Sequence, residues 1–194
     1  MKTAGETSDP ADGLAASLAA TVESARHRRG WSTNTLAQAS GVSRAMIAKI
    51  ERGDVQPTAA LLARLSGALG MTLSELIASA EGAPDRLARR QQQPVWRDPD
   101  TRYVRRAVSP ASSSMLQLVE VELPARARVP MPVESYLFID QQIWVLEGHL
   151  RFIEGEQIHE LEVGDCLQLG EPQPCVFENP GAATCRYLVA IRKR

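Results

Sequence analysis

Apolar residues fall at helical intervals up to about residue 79 and at alternating, strand-like intervals from Arg102 onward. Leu14, Leu18, Val22 and Ala25 lie on one stripe of a helix that closes at Arg26-His27-Arg28-Arg29 and stops at Gly30. Ser32 to Gly53 then reads as two short helices joined at Gly41. The first runs from Thr33 to Ala39 with Leu36 inward. The second opens on Ser43, whose hydroxyl can accept a first-turn N–H, and turns Ile47 and Ile50 inward. Gly41 suits the left-handed conformation that ends a helix, and Val42 tucks between the pair. Thr58 caps a further helix with a core stripe of Leu61, Leu62, Leu65 and Leu69, which Gly70 stops. Thr72-Leu73-Ser74-Glu75 is a capping-box pattern for a last short helix reaching about Ser79.

The second half is punctuated differently. Glu81-Gly82-Ala83-Pro84 breaks the helical pattern, and the polar stretch Arg89-Arg90-Gln91-Gln92-Gln93-Pro94 reads as a linker. Short apolar or alternating runs follow at Met115–Leu123, Gln142–Leu146, His149–Ile153, Glu160–Val163, Cys166–Leu169, Cys175–Phe177 and Cys185–Ile191, separated by Gly, Pro, Asp and Asn turns. Many short strands at this spacing predict a β-sandwich or barrel. The expected organisation is a disordered tail over 1–13, an all-α five-helix domain over 14–79, a linker over 80–106 and an all-β domain over 107–194.

Composition changes this picture in one place. The chain of 194 residues has a net charge of −1 and 44% apolar residues, which is globular and gives no global attraction to nucleic acid or membranes. Between Ala20 and Ser66, however, seven basic residues (Arg26, Arg28, Arg29, Arg44, Lys49, Arg52, Arg64) face three acids (Glu23, Glu51, Asp54). That local surplus suits phosphate contact. No apolar run approaches the ~20 residues of a membrane helix. The polar, acidic start lacks the order of a signal peptide, and three widely spaced cysteines make no disulfide framework, so a reduced, cytoplasmic protein is expected.

Gly30-Trp31-Ser32, Leu36-Ala37, Gly41-Val42-Ser43, Ile47, Ile50-Glu51-Arg52-Gly53, Pro57, Leu61, Leu65 and Leu69-Gly70 together resemble the XRE-type, phage-repressor-like helix-turn-helix domain. The resemblance implies that double-stranded DNA is the ligand and that the second helix of the pair enters the major groove. Ala45, Ala48, Lys49 and Arg52 face outward on that helix. By family position, Arg44, Ala45 and Lys49 are the base-reading residues, with Arg44 or Lys49 bonding guanine O6 and N7 and Ala45 able to meet a thymine methyl. Thr33 stands where such domains commonly carry glutamine; Thr33 and Asn34 can donate to phosphate, as can Arg28, Arg52 and the rest of the Arg26–Arg29 cluster. Glu51 reads as the partner of an arginine within the domain.

Trp144-Val-Leu-Glu-Gly-His-Leu, Leu161-Glu-Val-Gly-Asp-Cys-Leu and Pro174-Cys-Val-Phe-Glu-Asn179 resemble a cupin, a small jelly-roll barrel. Catalytic cupins hold a metal with a His-x-His, a glutamate and a final histidine. Here the first pair falls in Pro132-Val-Glu-Ser-Tyr-Leu137, the glutamate at Gln141 or Gln142, and the last histidine at Cys175. No catalytic residue, metal or cofactor is therefore expected, and His149 and His159 read as exposed surface. Strand alternation turns Gln141, Ile143, Val145, Cys175 and Phe177 inward, with Glu134 and Tyr136 at the rim. This set reads either as the lining of a small-molecule effector pocket or as a filled core with a satisfied glutamine. Cys166, Cys175 and Cys185 read as buried small hydrophobes.

The combination implies a non-enzymatic transcriptional regulator that binds a palindromic operator as a homodimer, because one short helix reads few bases and two copies ~34 Å apart lie on one face of the duplex. The barrel would sense a small-molecule effector, dimerise, or both. A cupin enzyme with a DNA-binding appendage and a purely structural oligomerisation module are the alternatives.

Overall fold

The computed structural model describes residues 10–78, 86–110 and 114–194. The tail before Pro10, the predicted breaker at Glu81–Pro84 and the side chain of Leu14 lie outside the described residues. Among the described residues five α-helices come first: α1 (Pro10–Arg28), α2 (Thr33–Ser40), α3 (Arg44–Glu51), α4 (Ala59–Ala68) and α5 (Leu73–Ala78). α1 begins inside the stretch read as a disordered tail. Ser43 and Thr58 cap their helices as the sequence predicts, accepting the N–H of Met46 and Leu61 at 3.2 and 3.4 Å, and Ser32 does the same for Thr35 at 3.1 Å. Thr72 and Glu75 form a reciprocal box, N–H to Oε2 at 2.8 Å and N–H to Oγ1 at 2.9 Å. Gly41 closes α2 with φ +66°, a region costly for a Cβ, and donates to Ala37 O. Leu18, Val22, Leu36, Val42, Ile47, Ile50, Leu62 and Leu65 fill the helical core.

Among the described residues ten strands follow: β1 (Val95–Arg97), β2 (Val104–Ala107), β3 (Leu116–Leu123), β4 (Arg128–Met131), β5 (Ile139–Glu147), β6 (Leu150–Glu154), β7 (Gln157–Leu161), β8 (Cys166–Gln168), β9 (Cys175–Glu178) and β10 (Cys185–Lys193). They form two antiparallel sheets, ordered β1-β2-β3-β10-β5-β8 and β4-β9-β6-β7. The sheets meet through aromatic contacts, Phe177 of β9 stacking on Tyr187 of β10 with centroids 5.7 Å apart. β5 and β10 alternate strictly between core and outer face, as half-buried strands must. Gly148 turns β5 into β6 with φ +82°, where a Cβ would stand 3.0 Å from Cys185 Cα. The result is a helical region followed by a two-sheet β domain.

The structure differs from the sequence reading at the junction. Residues 95–106, read as linker, supply β1 and most of β2, which pair with each other and extend the large sheet through β3. Trp96 packs edge-on against Tyr103 at 6.1 Å, and both are buried. Asp98, 2% exposed, organises the turn between the two strands: Oδ1 accepts from the N–H of Asp100 and Thr101 and from the Thr101 hydroxyl. Its Oδ2 accepts the N–H of Ala59 at 2.6 Å, so the β domain caps a helix of the other domain. Thr72 donates to Gln117 Oε1 at 2.9 Å, and Lys193 pairs with Glu75 at 2.7 Å. Gly67 of α4 lies so close to the Val133–Ser135 turn that a Cβ there would stand 2.8 Å from Glu134 O.

Candidate nucleic-acid interface and barrel cavity

α3 buries Ile47 and Ile50 and leaves Arg44, Ala45 and Lys49 exposed. The base-reading set proposed from the sequence thus shares the solvent side of one eight-residue helix. Its orientation is fixed from behind. Arg26 of α1, buried, donates Nε to Glu51 Oε1 at 2.7 Å, Nη2 to Glu51 Oε2 at 2.9 Å and Nη1 to Trp31 O at 2.9 Å. Hydrogen bonding to Glu51, then its charge, raises the Arg26 pKa against the opposing effect of burial. Glu51 is the arginine partner the sequence suggested. Arg26 is withdrawn from the phosphate-contact set, because it is buried and turned onto Glu51 and the Trp31 carbonyl.

The other cations divide. Arg29 lies over the Trp31 ring at 5.1 Å and against Gly70, on the domain's own surface. Arg28 is exposed and bonds Ser24 at 2.9 Å; Arg52 is exposed and pairs with Asp54 at 2.7 Å. Thr33 and Asn34 form the first turn of α2, Asn34 exposed and Thr33 partly so. Their backbone N–H groups stand where a helix favours an anion.

In the barrel, Gln141, Ile143, Val145, Cys175 and Phe177 all point inward and are buried. They do not share one space. A cavity of about 40 Å³ is lined by Gln141, Tyr136 and Phe177 together with Arg105, Met131, Ser135, Ile139 and Ile191 from the barrel, and by Ala63, Ser66, Thr72 and Leu73 from the helical domain. Cys175 faces a separate cleft beyond Gln141, lined also by Asp140, Glu154, Glu171 and Gln173. Two sequence expectations need correcting. Glu134 is exposed, lines neither space, and abuts Gly67 through its backbone. Tyr136 is buried rather than at a rim, and burial, then the adjacent Cys175, pushes its phenol well above its usual pKa.

Arg105 is not among the site residues that the sequence suggests. It sits on β2, in the stretch read as linker, is 8% exposed, and donates Nη1 to Tyr103 Oη at 3.1 Å. Nothing in Val104-Arg-Arg-Ala107 separates it from Arg106, which turns out to pair with Glu120. Only the register of β2 distinguishes the inward residue from the outward one.

His149 and His159 are partly buried beside carboxylates rather than free surface groups. His149 Nε2 lies 2.7 Å from Glu160 Oε2, and His159 Nε2 lies 3.7 Å from Glu154 Oε2. Cys166 is exposed, against the expectation of burial, while Cys175 and Cys185 are buried. Among the described residues no group of three His, Cys, Asp or Glu side chains could hold a metal ion. No described helix is long and apolar enough to cross a membrane.

Comparison with known proteins agrees with the helical geometry. Residues 22–76 match the helix-turn-helix family HTH_3. The HTH-type transcriptional regulator SutR of Escherichia coli (strain K12) is 38% identical over 82 residues, 42% of this chain and 46% of that protein, so the match spans about half of the curated relative's length. The crystal structure of an HTH_3 family transcriptional regulator from Vibrio cholerae superposes with a TM-score of 0.76 at 24% identity, covering 93% of this chain and 98% of that one, and so shares the whole fold. The Cupin_2 domain of an XRE family transcriptional regulator from Enterobacter cloacae matches 46% of this chain and 95% of its own, at 13% identity and a TM-score of 0.42. Residues 22–76 thus match the HTH_3 helix-turn-helix family, and the chain as a whole shares the fold of an HTH_3 family transcriptional regulator.

Proposed function

We propose that the protein is a sequence-specific DNA-binding transcriptional regulator, acting as a cytoplasmic homodimer on a palindromic operator, with a non-enzymatic barrel that senses a small molecule. One observation carries the DNA reading: α3 is bolted to α1 through Arg26 and Glu51 while Arg44, Ala45 and Lys49 stand together on its free side. A rigid helix with a small residue between two long cations can approach base edges closely and donate to guanine. Arg28, Arg52, Thr33 and Asn34 flank it as phosphate contacts. An eight-residue helix reads few base pairs, which favours two copies on half-sites ~34 Å apart.

The sensing role is supported by the barrel cavity, whose lining comes from both domains. A ligand there touches the DNA-binding domain directly and so can bias how it is held. Selection of binding sites from random duplex DNA tests the first part. The expected result is an inverted repeat with affinity that falls steeply with salt. Recovery of no enriched sequence would remove the operator reading.

A further inference from the structure

Resting on the reading of the protein as a homodimer, we propose that the two copies join through the outer face of the large sheet, each inserting Trp144 into a hollow on the other. Trp144 of β5 is 48% exposed and points away from the core that Ile143 and Val145 help fill. The strand register gathers apolar neighbours around it. Leu188 of β10 lies opposite Trp144, and Ala190 lies opposite both Gln142 of β5 and Leu118 of β3. Leu116, 54% exposed, continues the patch at the start of β3. β3, β5 and β10 run eight or nine residues each. With β8 they span roughly 500 Å² in flat projection, at ~3.3 Å per residue and ~4.8 Å per strand. With the relief of its side chains, such a face approaches the ~800 Å² of accessible surface that a stable interface takes from each partner. Soluble monomers rarely leave a contiguous apolar patch of more than a few hundred Å² open.

The face is complementary to itself. One row along the strands from Trp144, a hollow of about 460 Å³ opens beside Ala190, Gln142 and Gln168, with Leu116 and the Asp140–Arg192 pair at its far side. The small side chain of Ala190, between Leu188 and Arg192 on the same face of β10, leaves that room. In a closed dimer such a surface meets its own copy. A two-fold axis crossing the strands between the Trp144 and Gln142 rows lays each strand over its own copy in reverse. The partner's Trp144 then enters the hollow, and the contact is made twice. A large, rigid indole in a pocket is the kind of anchor that carries interface affinity. Charge selects the same direction. Arg192 and Arg194 both approach Asp140, at 3.4 and 2.9 Å, so that end of the face holds one surplus cation. At the other end Glu120, Glu122 and Glu147 balance Arg90, Arg106 and Arg186. An axis along the strands would set the two surplus cations against each other, whereas the crossing axis sets each against the balanced end. Cys166, on the edge strand β8, lies at the rim, where solvent keeps access.

The test uses full-length protein, alone and on the selected operator, in sedimentation velocity and hydroxyl-radical footprinting. In the dimer Trp144 and Leu116 should be protected, while Ile158, exposed on the small sheet, stays reactive. Trp144→Thr removes the indole and keeps a strand-forming residue; Ala190→Arg fills the hollow. Each should weaken dimerisation roughly thirty- to hundredfold, and Ile158→Thr should leave it unchanged. The footprint is read on wild type, so a misfolded variant leaves the test intact. A dimer in which Trp144 stays reactive, or a folded Trp144→Thr that associates as tightly as wild type, would overturn this face and leave the homodimer reading standing. Protection of Trp144 in a species that sediments as a monomer would give the face to another occupant and overturn the proposal equally. The homodimer reading itself falls, and the proposal with it, if wild type is a monomer in solution and binds the operator as a single copy.

Discussion

Glu51, at the end of α3, receives two donors of Arg26 from the end of α1, at 2.7 and 2.9 Å. The two side chains are only 8% and 11% exposed, so the pair is desolvated and bidentate. Removing one partner of a buried pair strands the other charge, which typically costs about 3–5 kcal/mol. Arg26→Ala should therefore lower stability by about that amount in urea unfolding. Operator binding should fall only as far as the folded fraction falls. A loss of affinity in fully folded variant would instead return Arg26 to the DNA surface.

Arg44 and Arg28 make a discriminating pair. Both are exposed, one on the proposed reading face of α3 and the other at the end of α1. Arg44→Ala should cost about 1–3 kcal/mol on the selected operator and relax one base preference. Arg28→Ala should weaken all sequences alike and reduce the salt slope by about one. Binding titrations on cognate and scrambled duplexes at several salt concentrations separate the two behaviours.

The three thiols differ in reactivity. Burial pushes Cys175 and Cys185 up to about 11, helped by Glu154 and Glu147 respectively. Cys166 is exposed. Because the thiolate is the nucleophile, native protein at pH 8 should take up one equivalent of iodoacetamide quickly, at Cys166. Peptide mapping by mass spectrometry checks the position. Early labelling of Cys175 would mean that the barrel opens far more readily than its packing implies.

Acid sensitivity should show at the outer face of the smaller sheet. Hydrogen bonding from Arg151, then from His149, holds the Glu160 carboxyl below its ordinary 4.5. A carboxyl depressed in the folded state stabilises above its unfolded pKa, and that contribution disappears as pH falls through the folded value. Wild type and Glu160→Gln should therefore differ at pH 7 and converge as the pH falls through the lowered folded-state value. The pair is largely exposed, so the difference should shrink in high salt. Divergence on acidification would reverse the sign and contradict the assignment.

Much of the fold could be read in advance because local rules and tertiary structure agree there. Ser43, Gly41 and the Thr72–Glu75 box each satisfy a helix terminus by themselves, so their meaning needs no partner. The inward set on β5 was equally legible from its alternation of two. The failures lie where a residue's role depends on distant register. β4 contains Pro130, which argues against a strand until β9 is seen to be its neighbour in the sheet. β2 reads as a basic linker until pairing with β3 sends Arg105 inward and Arg106 to Glu120. Arg26 and Arg28 are two positions apart in one basic run, and the packing of α1 against α3 buries one and exposes the other.

The carboxylate of Asp98 gives the molecule a built-in gauge. The amide it holds, that of Ala59, lies at the start of a helix, where no intrahelical acceptor exists. When the two domains part, that proton meets water at once, while the amides of the helix interior stay covered. Its rate of exchange with deuterium thus measures, at a single backbone site, how often the DNA-reading domain leaves the barrel. Anything that closes the joint should slow that one exchange first.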